Sequence, residues 1–124
     1  MKKRILVVED DKFLRQLITK KLTNEGFEVL EAIDGEEGIK KTKKDCPDLI
    51  LLDIILPEID GFEVLSRIKK QCNRASIPVI ILSNLGQKKD IEKGLRLGAK
   101  DYLIKAHFTP EEIIVKVNKA LEDA

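Results

Sequence analysis

The chain has 124 residues, enough for one domain with its own core but not for two. A hydrophobic fraction of 43% argues against intrinsic disorder, and no apolar run approaches the roughly 20 residues of a membrane span. Twenty-three basic residues against 22 acidic ones leave a net charge of +1, so no bulk attraction toward nucleic acid or an anionic membrane is expected.

Met1-Lys2-Lys3-Arg4 has the charge of a secretion signal, but the apolar run behind it stops at Val8 and Glu9 ends it. A cytoplasmic location is expected. Arg4 to Val8 is a continuous apolar run, as in a strand covered on both faces. Phe13, Leu14, Leu17, Ile18 and Leu22 then recur at helical spacing, with Asp11 as N-cap and Gly26 as stop. Phe27 to Ala32, interrupted by acids, suits an edge strand. Asp34-Gly35-Glu36-Glu37 reads as a capping box opening a polar helix to about Lys44, although few apolar residues mark its inner face. Cys46 and Cys72 are isolated thiols without metal or redox spacing, which favours a reduced compartment.

Asp48 to Leu52 is the most apolar strand and belongs at the centre of a sheet. Phe62, Leu65 and Ile68 mark a third helix, and Pro78 to Leu82 a fourth strand whose proline stands at its first position. Ile91 and Leu95 mark a fourth helix closed by Gly98, and Tyr102 to Ile104 a fifth strand. Thr109-Pro110-Glu111-Glu112 supplies N-cap, N1 proline and N3 acid for a last helix, striped by Ile113, Ile114, Val117, Ala120 and Leu121. Five strand–helix repeats predict an α/β fold with a parallel sheet covered on both faces, because parallel strands need crossover connections.

In such sheets ligands bind beyond the carboxyl ends of the strands. The first strand there ends in Glu9-Asp10-Asp11, the third in Asp53, the fourth in Ser83-Asn84 and the fifth in Lys105. Clustered carboxylates repel one another unless a cation lies between them, and oxygen ligands without His or Cys favour Mg²⁺ or Mn²⁺ over zinc. A carboxylate, a hydroxyl, an ammonium and a hard cation around one site suit phosphoryl transfer. Taken singly the residues have plainer readings. Asp53 could be a strand-end cap, Glu9 and Asp10 helix N-terminal charges, Ser83 a turn residue, and Tyr102 an edge aromatic with its hydroxyl in water. His107 reads as a solvent or loop residue, and the lysines at 40–44 and 88–89 as solvated faces.

The stretches Ile5 to Asp11, Leu51-Leu52-Asp53-Ile54 with Pro57 and Asp60-Gly61, Ile81-Leu82-Ser83, and Leu97 to Lys105 together resemble the receiver domain of two-component response regulators. The resemblance covers the whole chain, residues 1–124, as one receiver domain. It implies a flavodoxin-like doubly wound sheet of five parallel strands in the order 2-1-3-4-5, with five helices. It also implies that Asp53 accepts a phosphoryl group from a phosphohistidine on a sensor histidine kinase or phosphotransfer protein. Asp10, Asp53 and the backbone carbonyl of Ile55 would hold Mg²⁺ (or Mn²⁺), with Glu9 acting through water. Lys105 and Ser83 would contact the phosphoryl group, and Ser83 and Tyr102 would carry the switch to an effector protein or a fused output domain. Such a chain is a signalling switch that assists its own phosphorylation and dephosphorylation, not a turnover enzyme.

Three features depart from the family pattern. Ala106 replaces a proline that usually follows Lys105 in a cis bond, so a cis bond here costs about 2.5–4 kcal/mol or the bond is trans. Asn84 stands where a small residue is usual, and the connection from Lys70 to Ile77 is long. Two other functions compete. A haloacid-dehalogenase-type phosphohydrolase needs a second Asp two positions after the nucleophile, where this chain has Ile55, and a pseudo-receiver would use the fold only for protein contact. Neither glycine-rich nucleotide-binding motif is present in the sequence.

Overall fold

Strands and helices alternate along the chain in a computed structural model that describes residues 2–71 and 77–123. They are β1 (Arg4–Val8), α1 (Lys12–Asn24), β2 (Glu28–Ala32), α2 (Gly35–Asp45), β3 (Leu49–Leu52), α3 (Gly61–Gln71), β4 (Val79–Ser83), α4 (Lys88–Arg96), β5 (Asp101–Ile104) and α5 (Pro110–Glu122). All strand pairs are parallel and their order is β2-β1-β3-β4-β5, the flavodoxin-like arrangement. Cys72 and the middle of the long connection after Lys70 lie outside the described residues.

The inner strands β1, β3 and β4 split their side chains between two cores, which is why they read as apolar runs. Leu6, Val8, Ile50 and Leu52 share a core with Ile39 of α2 and Leu65 and Ile68 of α3, against which Ile91 of α4 packs partly buried. Ile5, Val7, Leu49 and Leu51 face α1 and α5 through Ile18, Leu22, Ile113 and Val117. Thr109 accepts from the Glu112 amide while the Glu112 side chain accepts from the Thr109 amide, so the α5 capping box forms as its sequence predicts.

Three local expectations change. In α1 the inward stripe is partly buried Leu14 with buried Ile18 and Leu22, each four residues from the next, and Phe13 points away with 79% of its surface exposed. In α4 Leu95 is exposed and Gly94 faces inward, because a side chain there has no room: a Cβ would lie 2.6 Å from Ile81 Cδ1 and 2.9 Å from Tyr102 Cδ2. At α2, Asp34 accepts from the Glu37 amide at 2.8 Å, but Glu37 reaches back to the Ile33 amide at 3.0 Å instead of closing the box on Asp34. The α2 inner face consists of Gly35, Gly38, Ile39 and Thr42, and only one of these is a large apolar residue, which explains its faint pattern.

Because the helices run back against the strands, their first turns collect at the edge where the strands end. Those turns carry Glu36, Glu37, Glu63, Asp90, Glu111 and Glu112, while Lys43, Lys44, Lys69, Lys70, Lys93, Arg96 and Lys119 occupy last turns. Each sign complements the helix dipole, and together they segregate the high charge content into an acidic edge and a basic one.

Two glycines separate crowding from backbone strain. A Cβ at Gly61 would fall 2.2 Å from the Asp53 carbonyl oxygen and 2.6 Å from Ile54 Cα, whereas Gly26 has φ +94° and nothing within 4 Å. In urea unfolding, Gly61→Ala is expected to lose about 3 kcal/mol through overpacking against backbone, and Gly26→Ala about 1–2 kcal/mol through left-handed strain alone. A smaller loss at Gly61 than at Gly26 would contradict this packing.

Candidate functional site

The backbone ladder carries the first residues past the strands into register. Val8 pairs with Leu52, the Glu9 amide donates to the Ala32 carbonyl at 3.0 Å, and the Asp53 amide donates to the Val8 carbonyl at 3.1 Å. Glu9 and Asp53 therefore emerge side by side. Ser83 pairs with Ile104, which puts Lys105 one residue beyond β5.

Lys105 Nζ lies 2.6 Å from Glu9 Oε1 and 2.7 Å from Asp53 Oδ2. Both carboxylates are buried, with Glu9 3% and Asp53 5% exposed. Their other oxygens accept backbone amides: Glu9 Oε2 from Asp11 at 3.1 Å and Asp53 Oδ1 from Ile55 at 3.2 Å. Asp10 is exposed, and its carboxylate completes a group with Glu9 and Asp53 whose oxygens lie within 4.8 Å of one another. Burial pushes the Glu9 carboxyl up, against the hydrogen bonds from Lys105 and Asp11. Burial also works against the Lys105 ammonium, but its bonds to Asp53 and Glu9 prevail and hold its pKa above the usual lysine range.

Three carboxylates faced by one ammonium leave a formal excess of two negative charges. The donors are all hard oxygens, and the solvent side is open at Asp10. This donor set fits a divalent cation of the Mg²⁺ type, which keeps part of its water shell.

Ser83 is fully buried, and its Oγ accepts the Leu85 amide at 3.3 Å. The Tyr102 hydroxyl donates to the Leu85 carbonyl, so the phenol is not in water and its ring packs beside Gly94. Burial, then the negative charges of Asp90 and Asp53, push the Tyr102 pKa up to about 12. Ile55 contributes its amide to Asp53 and leaves its side chain exposed. Every peptide bond in the described residues is trans, Lys105–Ala106 included, and a 3-10 turn over Lys105–His107 follows. His107 and Asn84 are exposed.

Glu9, Asp10, Asp53 and Lys105 thus form one cluster, while Ser83 and Tyr102 meet through the Leu85 peptide. The sequence reading passed over two contributors. Leu85 acts through main-chain atoms and has no residue-type signal. Arg15, which donates to the Glu9 carbonyl at 2.9 Å, was visible only as a cation four residues after Asp11 beside the apolar Leu14.

The sequence matches the response regulator receiver domain over residues 5–118. The chain belongs to that family. It is 39% identical over 121 residues to the alkaline phosphatase synthesis transcriptional regulatory protein PhoP of Bacillus subtilis, covering 98% of this chain and 49% of that protein. It is 40% identical over 118 residues to the DNA-binding dual master transcriptional regulator RpaA of Synechocystis, covering 95% and 48%. The chain spans about half the length of the curated relatives it matches. Among solved structures it resembles a CheY-like receiver domain protein from Methanospirillum hungatei, with a TM-score of 0.93, 29% identity and coverage of 99% and 96%. The Francisella response regulator 1452 receiver domain aligns with a TM-score of 0.89, 34% identity and 98% coverage of both chains. Phosphorylation-driven switching is the general function of this family, and its members bind Mg²⁺ at an acidic pocket.

Two outcomes follow from the receiver's site geometry. Replacing Lys105 with Met leaves Glu9 and Asp53 buried without a countercharge, at a cost of about 3 kcal/mol near neutral pH. The Lys105 bond that opposes the burial-driven rise of the Glu9 pKa is then gone, so the Glu9 carboxyl stays above its unfolded value, and its contribution is favourable below the ordinary carboxylate range and is lost as pH rises. The stability gap from the parent in urea titrations should therefore widen from acid to neutral pH, and a pH-independent gap would contradict the pairing. Tyr102 is the only tyrosine and there is no tryptophan, so phenolate absorbance reports it alone. With its pKa raised from 10.0 to about 12, its contribution to stability is complete below pH 10 and lost as pH rises through about 12. A native titration midpoint at the ordinary phenol value would contradict the buried hydroxyl.

Proposed function

We propose that this receiver is a phosphorylation-activated switch in which Asp53 accepts a phosphoryl group from a phosphohistidine on a sensor histidine kinase or phosphotransfer protein. The observation that carries this reading is buried Asp53 bonded to Lys105 at 2.7 Å beside two further carboxylates. Asp10, Asp53 and the Ile55 backbone carbonyl would hold Mg²⁺, with Mn²⁺ as a substitute and Glu9 acting through water. When bound, that ion neutralises charge on the transferring phosphoryl group.

An Asp53 carboxylate oxygen attacks phosphorus in line with the scissile bond. The phosphorus–nitrogen bond to the donor histidine breaks, and its electron pair stays on the departing imidazole. Lys105 already donates to Asp53 and follows the new negative charge as a point cation. Ser83 uses its oxygen to accept the Leu85 amide, so its proton is free for a phosphoryl oxygen. Pulling Ser83 toward that oxygen displaces Leu85, whose carbonyl holds the Tyr102 phenol. The surface of α4, β5 and α5 changes as a result, and an effector protein or fused output domain reads it.

The phosphoryl group adds up to two negative charges and must favour the active arrangement by several kcal/mol to work as a switch. Hydrolysis of the acyl phosphate at the same residues resets it. The relatives named as transcriptional regulators suggest DNA binding as an output in a longer protein, while the receiver itself touches neither nucleic acid nor membrane. A cytoplasmic location follows from the kinase as donor.

Intact mass after incubation with acetyl phosphate and Mg²⁺ tests this reading. A gain of one phosphoryl group is expected in the parent and is lost on chelation of Mg²⁺ or in Asp53→Asn. Labelling that survives Asp53→Asn would place the acceptor elsewhere. No labelling by acetyl phosphate or a phosphorylated kinase, together with no detectable Mg²⁺ binding, would favour the pseudo-receiver.

A further inference from the structure

The three carboxylates of the acidic cluster are not held equally. Glu9 and Asp53 each receive the Lys105 ammonium and a backbone amide. The Asp10 carboxylate takes no hydrogen bond among the described residues, so its position depends on the backbone that delivers it. That backbone is gripped from α1. Arg15 Nη1 donates to the Glu9 carbonyl at 2.9 Å, and Arg15 Nε donates to Glu31 Oε1 at 3.0 Å.

The Arg15 side chain is 12% exposed and that of Glu31 39%, so the guanidinium end of the pair is the shielded one. Glu31 is itself anchored, because its backbone carbonyl accepts from Lys41 on α2. The Glu9 amide is bound to Ala32, the residue after Glu31. The end of the edge strand β2 therefore fixes both sides of Glu9, the N–H directly and the C=O through Arg15. The carbonyl of Glu9 belongs to the planar peptide that leads into Asp10, so fixing its oxygen fixes the direction in which Asp10 leaves the strand.

We propose that Arg15 is a positioning residue for the cation site, holding Asp10 in the carboxylate cluster through the Glu9 carbonyl with Glu31 as its anchor. This rests on the reading of Glu9, Asp10 and Asp53 as the Mg²⁺-binding set. A guanidinium suits the task because its planar fork serves two acceptors at once, which a single ammonium does less well. Groups that orient metal ligands without touching the metal are commonly worth 10- to 100-fold in affinity, and about tenfold is expected here.

The test uses the full chain and two readouts: Mg²⁺ affinity by calorimetry, and the Mg²⁺ concentration giving half-maximal labelling by acetyl phosphate. Arg15→Met keeps the apolar stem and removes both donors. It should weaken Mg²⁺ binding and raise the half-maximal concentration about tenfold while leaving the rate at saturating Mg²⁺ unchanged. Arg15→Lys should recover part of the loss. Arg67→Met serves as control, since its partners Glu36 and Glu63 belong to neither the cluster nor β1, and it should leave Mg²⁺ affinity unaltered. If Arg15→Met does not fold, Glu31→Ala takes its place, with weakening of a few-fold expected and no change counting against the proposal. Affinity within twofold of the parent in Arg15→Met, or equal weakening in Arg67→Met, would overturn the role of Arg15 alone. A parent chain that binds no Mg²⁺ would overturn the cation-site reading with it.

Discussion

Two carboxylates share the interior at the end of adjacent parallel strands because one ammonium lies between them. Lys105 contacts both Glu9 and Asp53, and its removal would strand two buried charges rather than one. The arrangement is stable yet chemically unfinished. The third acid, Asp10, keeps the cluster short of positive charge, and its exposure leaves the cluster open to solvent. The fold reinforces that polarity. Parallel strands force every helix to begin at the same edge, where first-turn Asp and Glu residues stabilise the helices and make the surroundings of the site acidic.

The route from this cluster to the surface is short and passes through main-chain atoms. Ser83 holds the Leu85 amide and Tyr102 holds the Leu85 carbonyl, so a single residue joins the end of β4 to the aromatic ring beneath α4. Gly94 allows that ring to pack closely against the helix. Gly94 is the one fully buried residue of α4, and Ile91 packs against the core only partly buried. A displacement of Leu85 is thereby a displacement of the surface that a partner would read.

The same geometry weighs against the enzymatic alternative. A phosphohydrolase with an aspartyl nucleophile needs an acid–base group two residues on, but Ile55 offers Asp53 only a backbone amide and turns its side chain to solvent. A signalling switch of the receiver family does not depend on turnover of this kind. Family membership and the shared fold agree with that economy of parts.

Five strand–helix units, their parallel pairing and the polar residues at the strand ends were legible in the sequence, because periodicity and capping are local properties. Thr109-Pro110-Glu111-Glu112 encodes its helix start outright, and the apolar runs announce strands covered on both faces. Packing decided the rest. Phe13 and Leu95 satisfy an apolar pattern but face water, whereas Gly94 and Gly38 face inward where two elements approach closely, and Thr42 is buried with its hydroxyl on the Gly38 carbonyl. The trans bond at Ala106, the Arg15 grip on Glu9 and the two bonds to Leu85 left no mark in residue type. Lys105 and Asp53 are 52 residues apart in sequence, and no local pattern states that their charges touch. The sequence named the groups; only the folding of β1, β3, β4 and β5 to one edge set the distances at which their charges act.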